Sequence, residues 1–124
     1  MKRLIIIGLL FVMVVGNLTA SERPSLVISK EEARAVKSLL GKNKLIDNTY
    51  NNVVAKAEIA LANPIETPQP GEAGGYAHEK HKQNYRDMKN AGVLFAITGE
   101  EKYARFIKDM LDAYAEMYPE LPAH

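Results

Sequence analysis

HEKHKQNYRDMKNAGVLFAI, residues 78–97, opens with thirteen mostly polar residues and closes with seven that are all apolar or glycine. No proline interrupts it, so a single helix can run from His78 to Ile97. The closing run, Ala91 to Ile97, is apolar on every side, which is the pattern of a helix covered by neighbours and not of one lying half in water. Immediately downstream, Thr98-Gly99-Glu100-Glu101 reads as a tight turn, with Thr98 and Glu101 at capping-box spacing. A second helix follows to about Tyr118. Its apolar stripe is Tyr103, Phe106, Ile107, Met110, Leu111, Tyr114 and Met117, while Lys102, Arg105, Lys108, Asp109, Asp112 and Glu116 face away. Pro119 and Pro122 end it. These two segments predict an antiparallel helical pair, the unit from which layered all-helical architectures are built.

Upstream, two further helices are predicted. Ser29-Lys30-Glu31-Glu32 is a capping box that starts a helix with Ala33, Val36, Leu39 and Leu40 on its apolar side, and Gly41 supplies the left-handed residue after its end. From about Lys44 to Ala62, the residues Tyr50, Val53, Val54, Ala57, Ala60 and Leu61 make another stripe, stopped by Asn63-Pro64. Residues 63–75, NPIETPQPGEAGG, hold three of the six prolines and three of the eight glycines and form a loop, longer than most connections. No internal repeat relates the first helical pair to the second, so a short-period solenoid is not supported. A helix apolar all round demands more neighbours than four helices supply. The sequence therefore reads as the front part of a larger protein.

The chain has 124 residues, 16 Lys+Arg against 15 Asp+Glu, and no Cys. That length fits one domain. A net charge of +1 lacks the basic excess a nucleic-acid surface needs. Without cysteine there is no disulfide framework, zinc knuckle or thiol nucleophile. Met1-Lys2-Arg3, the apolar run Leu4–Val15 and the small, polar exit Gly16–Ala20 read as a secretory signal peptide, residues 1–20, cut after Ala20. The run is shorter than the roughly 20 residues of a membrane span. Removing Lys2 and Arg3 leaves 14 basic and 15 acidic residues in residues 21–124, an extracytoplasmic, periplasmic or secreted product not held to the membrane.

The residues able to carry chemistry concentrate at the start of the third helix. His78, His81 or Lys82, and Tyr85 are spaced to share one face, and Asn84 adds an amide. Imidazole, ammonium and amide donors suit a polyanion, and the Gly74-Gly75 break lets a glycan approach the positive end of the helix. HEKH does not meet the zincin spacing and lacks a third ligand, so no metal is expected. A solvated helix start with ordinary charge pairs is the competing reading. Tyr85 suits core or ligand equally, whereas Tyr103, Tyr114 and Tyr118 read as packing residues.

GGYAHEKHKQNY, together with AGVLFAITGEEKYARFIKDMLDAYAEMYPELPAH, resembles the N-terminal helical region of alginate lyases in polysaccharide lyase family 17, relatives of the heparinase II/III-like lyases. The resemblance runs from about Gly74 to His124. It implies an all-α fold, helical hairpins forming an incomplete α/α toroid, in a secreted or periplasmic enzyme that cleaves uronate glycans, alginate first among them, by β-elimination. The sugar carboxylate is neutralised, the proton on the adjacent carbon is removed and the 4-linked oxygen leaves, with no cofactor. The family's Asn-His pair and catalytic Tyr residues lie on later elements, so the resemblance assigns no catalytic residue to this chain and implies that it is inactive without the missing remainder of its own fold. His78, His81, Asn84 and Tyr85 are the expected contacts to an acidic polysaccharide. The alternative is a small exported all-helical glycan- or protein-binding module without catalysis.

Overall fold

The computed structural model describes residues 27–120, so the leader read in residues 1–20 and the last four residues lie outside it. Four helices follow one another: α1 (Lys30–Leu39), α2 (Lys44–Ala62), α3 (Tyr76–Thr98) and α4 (Glu101–Met117), with a 3-10 turn at Tyr118–Glu120. No strand occurs among the described residues, and the fold is all-α as the periodicity requires. None of these helices is long and apolar enough to cross a membrane.

The boundaries follow local chemistry. Ser29 Oγ accepts from the Glu32 amide at 3.1 Å and the Glu32 carboxylate accepts from the Ser29 amide at 2.7 Å, closing the expected capping box. These bonds, the backbone one foremost, hold the Glu32 carboxyl below the usual carboxylate range. Gly41, at φ 76°, turns the chain out of α1 in the left-handed region. α2 spans the expected residues and is capped by Asn43, whose Oδ1 accepts from the amides of Leu45 and Ile46 at 3.0 and 3.3 Å. α3 begins two residues before the expected His78, because Gly75 in extended conformation already serves as its N-cap.

The turn between α3 and α4 departs from the expected capping box. Thr98 is still helical: its hydroxyl donates to the Leu94 carbonyl at 2.7 Å and accepts from the Glu100 amide at 3.1 Å. Glu100 is the N-cap of α4, without a side-chain bond. Gly99, at φ 75°, makes the reversal, and its amide donates to the Phe95 carbonyl at 2.8 Å.

α3 is the centre of the molecule and packs against α1, α2 and α4. Ala91, Leu94 and Ile97 are buried, and the core they help to form contains Ala57, Tyr103, Phe106 and Met110. The apolar half of α3 thus finds neighbours on three sides, and the remaining side stays open at Phe95. Tyr103 packs as expected and Tyr114 lies partly buried against the core, but Tyr118 does not pack: the chain has already left α4 there, and the residue is 73% exposed.

A polar strap ties α2 to α4. Glu58 Oε1 accepts from Lys102 Nζ at 2.6 Å and from the buried Tyr103 hydroxyl at 2.9 Å, with the Lys102 ammonium 4.9 Å from the Tyr103 ring centre. The Lys102 and Tyr103 bonds hold the Glu58 carboxyl below its ordinary 4.5, while burial and the bond to Glu58 raise the Tyr103 hydroxyl above its ordinary 10.0. A carboxyl depressed by folding contributes stability that is present above its unfolded pKa and lost as pH falls through its folded one. Glu58→Gln should therefore lower the urea midpoint near neutral pH, and the gap from wild type should close as pH falls below about 4.5. A gap that stays constant to acid pH would show that ionisation of Glu58 contributes nothing.

Candidate functional site

The start of α3 and the loop before it build the polar centre of the molecule. Asn84 lies on the inward face of α3 and is only 2% exposed. Its amide nitrogen donates to the Glu66 carbonyl oxygen at 2.8 Å and to the Tyr114 hydroxyl at 3.0 Å, so both of its protons are committed. The same hydroxyl stands 2.7 Å from Nδ1 of His81. A hydroxyl has one proton to give. Tyr114 accepts from Asn84, which leaves its own proton free to donate to Nδ1 in the tautomer that carries the imidazole proton on Nε2. Nε2 is buried and has no partner among the described residues.

Glu66 holds the long loop to this centre by three contacts. Its carbonyl receives Asn84, its Oε1 accepts from the Tyr76 hydroxyl at 2.6 Å, and its Oε2 lies 3.8 Å from Lys80 Nζ. The bond to Glu66 raises the Tyr76 hydroxyl above the usual phenol range. Beside Asn84 a cavity of about 300 Å³ opens between the end of α2, Asn63–Ile65 and α3, with Lys56, Asn63, Lys80 and Asp87 on its walls and Phe106 and Met110 at its base. Lys80 is shared with Glu66 and Asp87 is present, so the cavity has no net cationic character.

The four expected contact residues separate into two pairs. His81 and Asn84 come together on Tyr114, pointing inward. His78 and Tyr85 remain on the outer surface, and Tyr85, which suited core or ligand in the sequence, is 62% exposed. With Lys82 and Lys89 they form an exposed strip at successive three- and four-residue steps, His78, Lys82, Tyr85, Lys89. The Lys89 ammonium is 6.0 Å from the Tyr85 ring centre. Lys82 donates to Glu79 at 2.9 Å, and this bond lowers the Glu79 carboxyl. An aromatic plane flanked by cations is suited to a sugar ring bearing a carboxylate. Among the described residues no group of three His, Asp or Glu gathers as a metal site.

Sequence reasoning missed Tyr114 and Glu66. Tyr114 reads as a packing residue in the sequence, yet it and Asn84 stand fifteen residues either side of Gly99, the register at which two antiparallel helices face each other. Glu66 carries no such signal, since its bond to the buried Asn84 is made by its backbone carbonyl.

The chain is thus all-helical, with a hydrogen-bonded Asn-His-Tyr centre and a basic, aromatic outer strip, and it is similar in sequence to curated proteins of known activity. The chain is 34% identical over 110 residues to an exo-oligoalginate lyase of Saccharophagus degradans, covering 88% of this chain and 15% of that enzyme. It is 43% identical over 61 residues to an alginate lyase of Stenotrophomonas maltophilia, covering 48% of this chain and 8% of that one. The chain is thus related to alginate lyases and spans less than a sixth of the length of either relative. No family model matches it.

Proposed function

We propose that this chain is the N-terminal helical part of a secreted or periplasmic polysaccharide lyase of the family-17 type, an incomplete α/α toroid whose enzyme cleaves uronate glycans, alginate first among them, by β-elimination. The observation that carries this reading is the 34% identity to the exo-oligoalginate lyase over 110 residues, 88% of the chain. Here the chain's task is binding and positioning. Proton transfer to and from the sugar needs groups that touch it, and the buried Asn84 already spends both amide protons within the protein. His78 and Tyr85 meet the acidic polysaccharide on the outer strip, His81 and Asn84 hold the helix and loop behind it, and the groups that remove the proton are supplied from the rest of the enzyme.

The test is a chimera in which residues 27–120 of this chain replace the residues of the Saccharophagus lyase that align with them. It should cleave oligoalginate. His78→Ala and Tyr85→Ala in the chimera should each raise KM by about fivefold, the equivalent of about 1 kcal/mol for an exposed cation or aromatic contact, with kcat changed less than twofold. A loss of turnover at unchanged KM would place these residues in the chemistry and overturn the assignment.

A further inference from the structure

The strongest unexplained feature is a trough on the side of the molecule formed by α1, α2 and the C-terminal half of α3. It encloses about 330 Å³. Val36 of α1, Leu45, Ile46 and Val53 of α2, and Val93 and Ile97 of α3 line it. Its only side-chain polar atoms are the hydroxyls of Thr49 and Tyr50, and Thr49 already donates to the Leu45 carbonyl at 2.9 Å. With two hydroxyls and no charged side chain, this lining is poorly suited to a sugar, a phosphate or a metal. α1, moreover, buries only Ala33, leaving Val36 partly covered, and Leu45 stands 75% exposed at the start of α2. An amphipathic helix with one buried residue is half of a packing arrangement.

We propose that this trough seats the apolar stripe of a further helix from the same lyase polypeptide, an inference that rests on the reading above. The length of the relatives argues for this occupant. In the Saccharophagus enzyme the stretch aligned with this chain is 15% of the whole, so these helices are folded there in the company of several times their own mass. The position of the trough fits as well. It uses the C-terminal half of α3, whereas the strip of His78, Lys82, Tyr85 and Lys89 uses the N-terminal half, so a helix seated in the trough leaves the glycan-facing surface open.

Hydrogen exchange measured on the full 124-residue chain and on the chimera tests the proposal. Amides of residues 45–53 and 93–97 should exchange at least tenfold more slowly in the chimera. Leu45→Glu, at a position open in the isolated chain, should leave the melting temperature of that chain unchanged but abolish the added protection in the chimera. Val93→Glu should do the same to the chimera, and Lys108→Glu, on the outer side of α4, should not. Equal exchange in the two proteins, or a Leu45→Glu chimera as protected as its parent, overturns the proposal. So does a concentration-dependent dimer of the chain that Leu45→Glu dissociates, which would make a second copy the occupant. A truncation of residues 1–20 that speeds exchange along the trough would give the place to the leader instead, and a chimera that does not fold would also count against it. Oligoalginate cleavage separates the two readings: a chimera that cleaves without protecting the trough sinks only the docking inference, and one that protects the trough without cleaving sinks only the lyase reading.

Discussion

Replacing Asn84 by leucine should destabilise the chain by about 2–3 kcal/mol, although the two side chains have nearly the same size. The leucine fills the space but offers no proton to the Glu66 carbonyl or the Tyr114 hydroxyl, and a buried polar group left without its partner costs on the order of 1–3 kcal/mol. The loss is also local in a measurable way. Asn84 bonds the backbone of the Pro-rich loop at Glu66 from inside the molecule, so amide exchange across residues 65–75 should accelerate more than exchange in α4. Asn84→Asp should be at least as damaging near neutral pH, because a carboxylate would face a carbonyl oxygen with no proton between them. A leucine variant that keeps both its urea midpoint and its loop protection would show that the hydrogen bonds at Asn84 are dispensable.

The second large effect lies in the core. Leu94 is completely buried among the core side chains from α2, α3 and α4. Leu94→Ala should cost about 2–5 kcal/mol, the range for truncating a buried leucine to leave a cavity. Folded domains hold only about 5–15 kcal/mol in total, and a body of this size sits at the low end, so the variant should be substantially unfolded near physiological temperature. Phe95→Ala is the internal comparison. Although Phe95 is the larger side chain, it is 39% exposed, and its removal should lower the melting temperature by less than half as much. Equal effects at the two positions would mean that the apolar half of α3 is not packed as described.

The helices were legible because each carries its own boundary chemistry. Ser29 and Glu32 mark the start of α1, Asn63-Pro64 marks the end of α2, and the stripe from Tyr103 to Tyr114 can be buried only as a helix. What escaped was set by contacts between elements. Thr98 and Glu101 have capping-box spacing, but Gly99 ends α3 one residue after Thr98, so the threonine hydroxyl turns back to Leu94. The site was half legible: spacing brought His78, His81 and Tyr85 onto neighbouring positions of one helix, yet which of them faces inward depends on where α4 lies. Tyr114 escaped because aromatic residues in a stripe are read as apolar bulk, and its hydroxyl acquires meaning only across the pair of helices. Glu66 escaped because a carbonyl oxygen has no sequence signature.

The reversal at Gly99 has a genetic corollary. One residue inserted there would rotate α4 by about 100° and shift it about 1.5 Å along its axis, carrying Tyr114 off both His81 and Asn84 and turning Phe106 and Met110 out of the interior together. The connection between α2 and α3 is secured at Glu66 and runs exposed from Gln69 to Gly74. Lineages of this segment should therefore vary in length between positions 67 and 74 and keep a fixed count of residues from Asn84 to Tyr114.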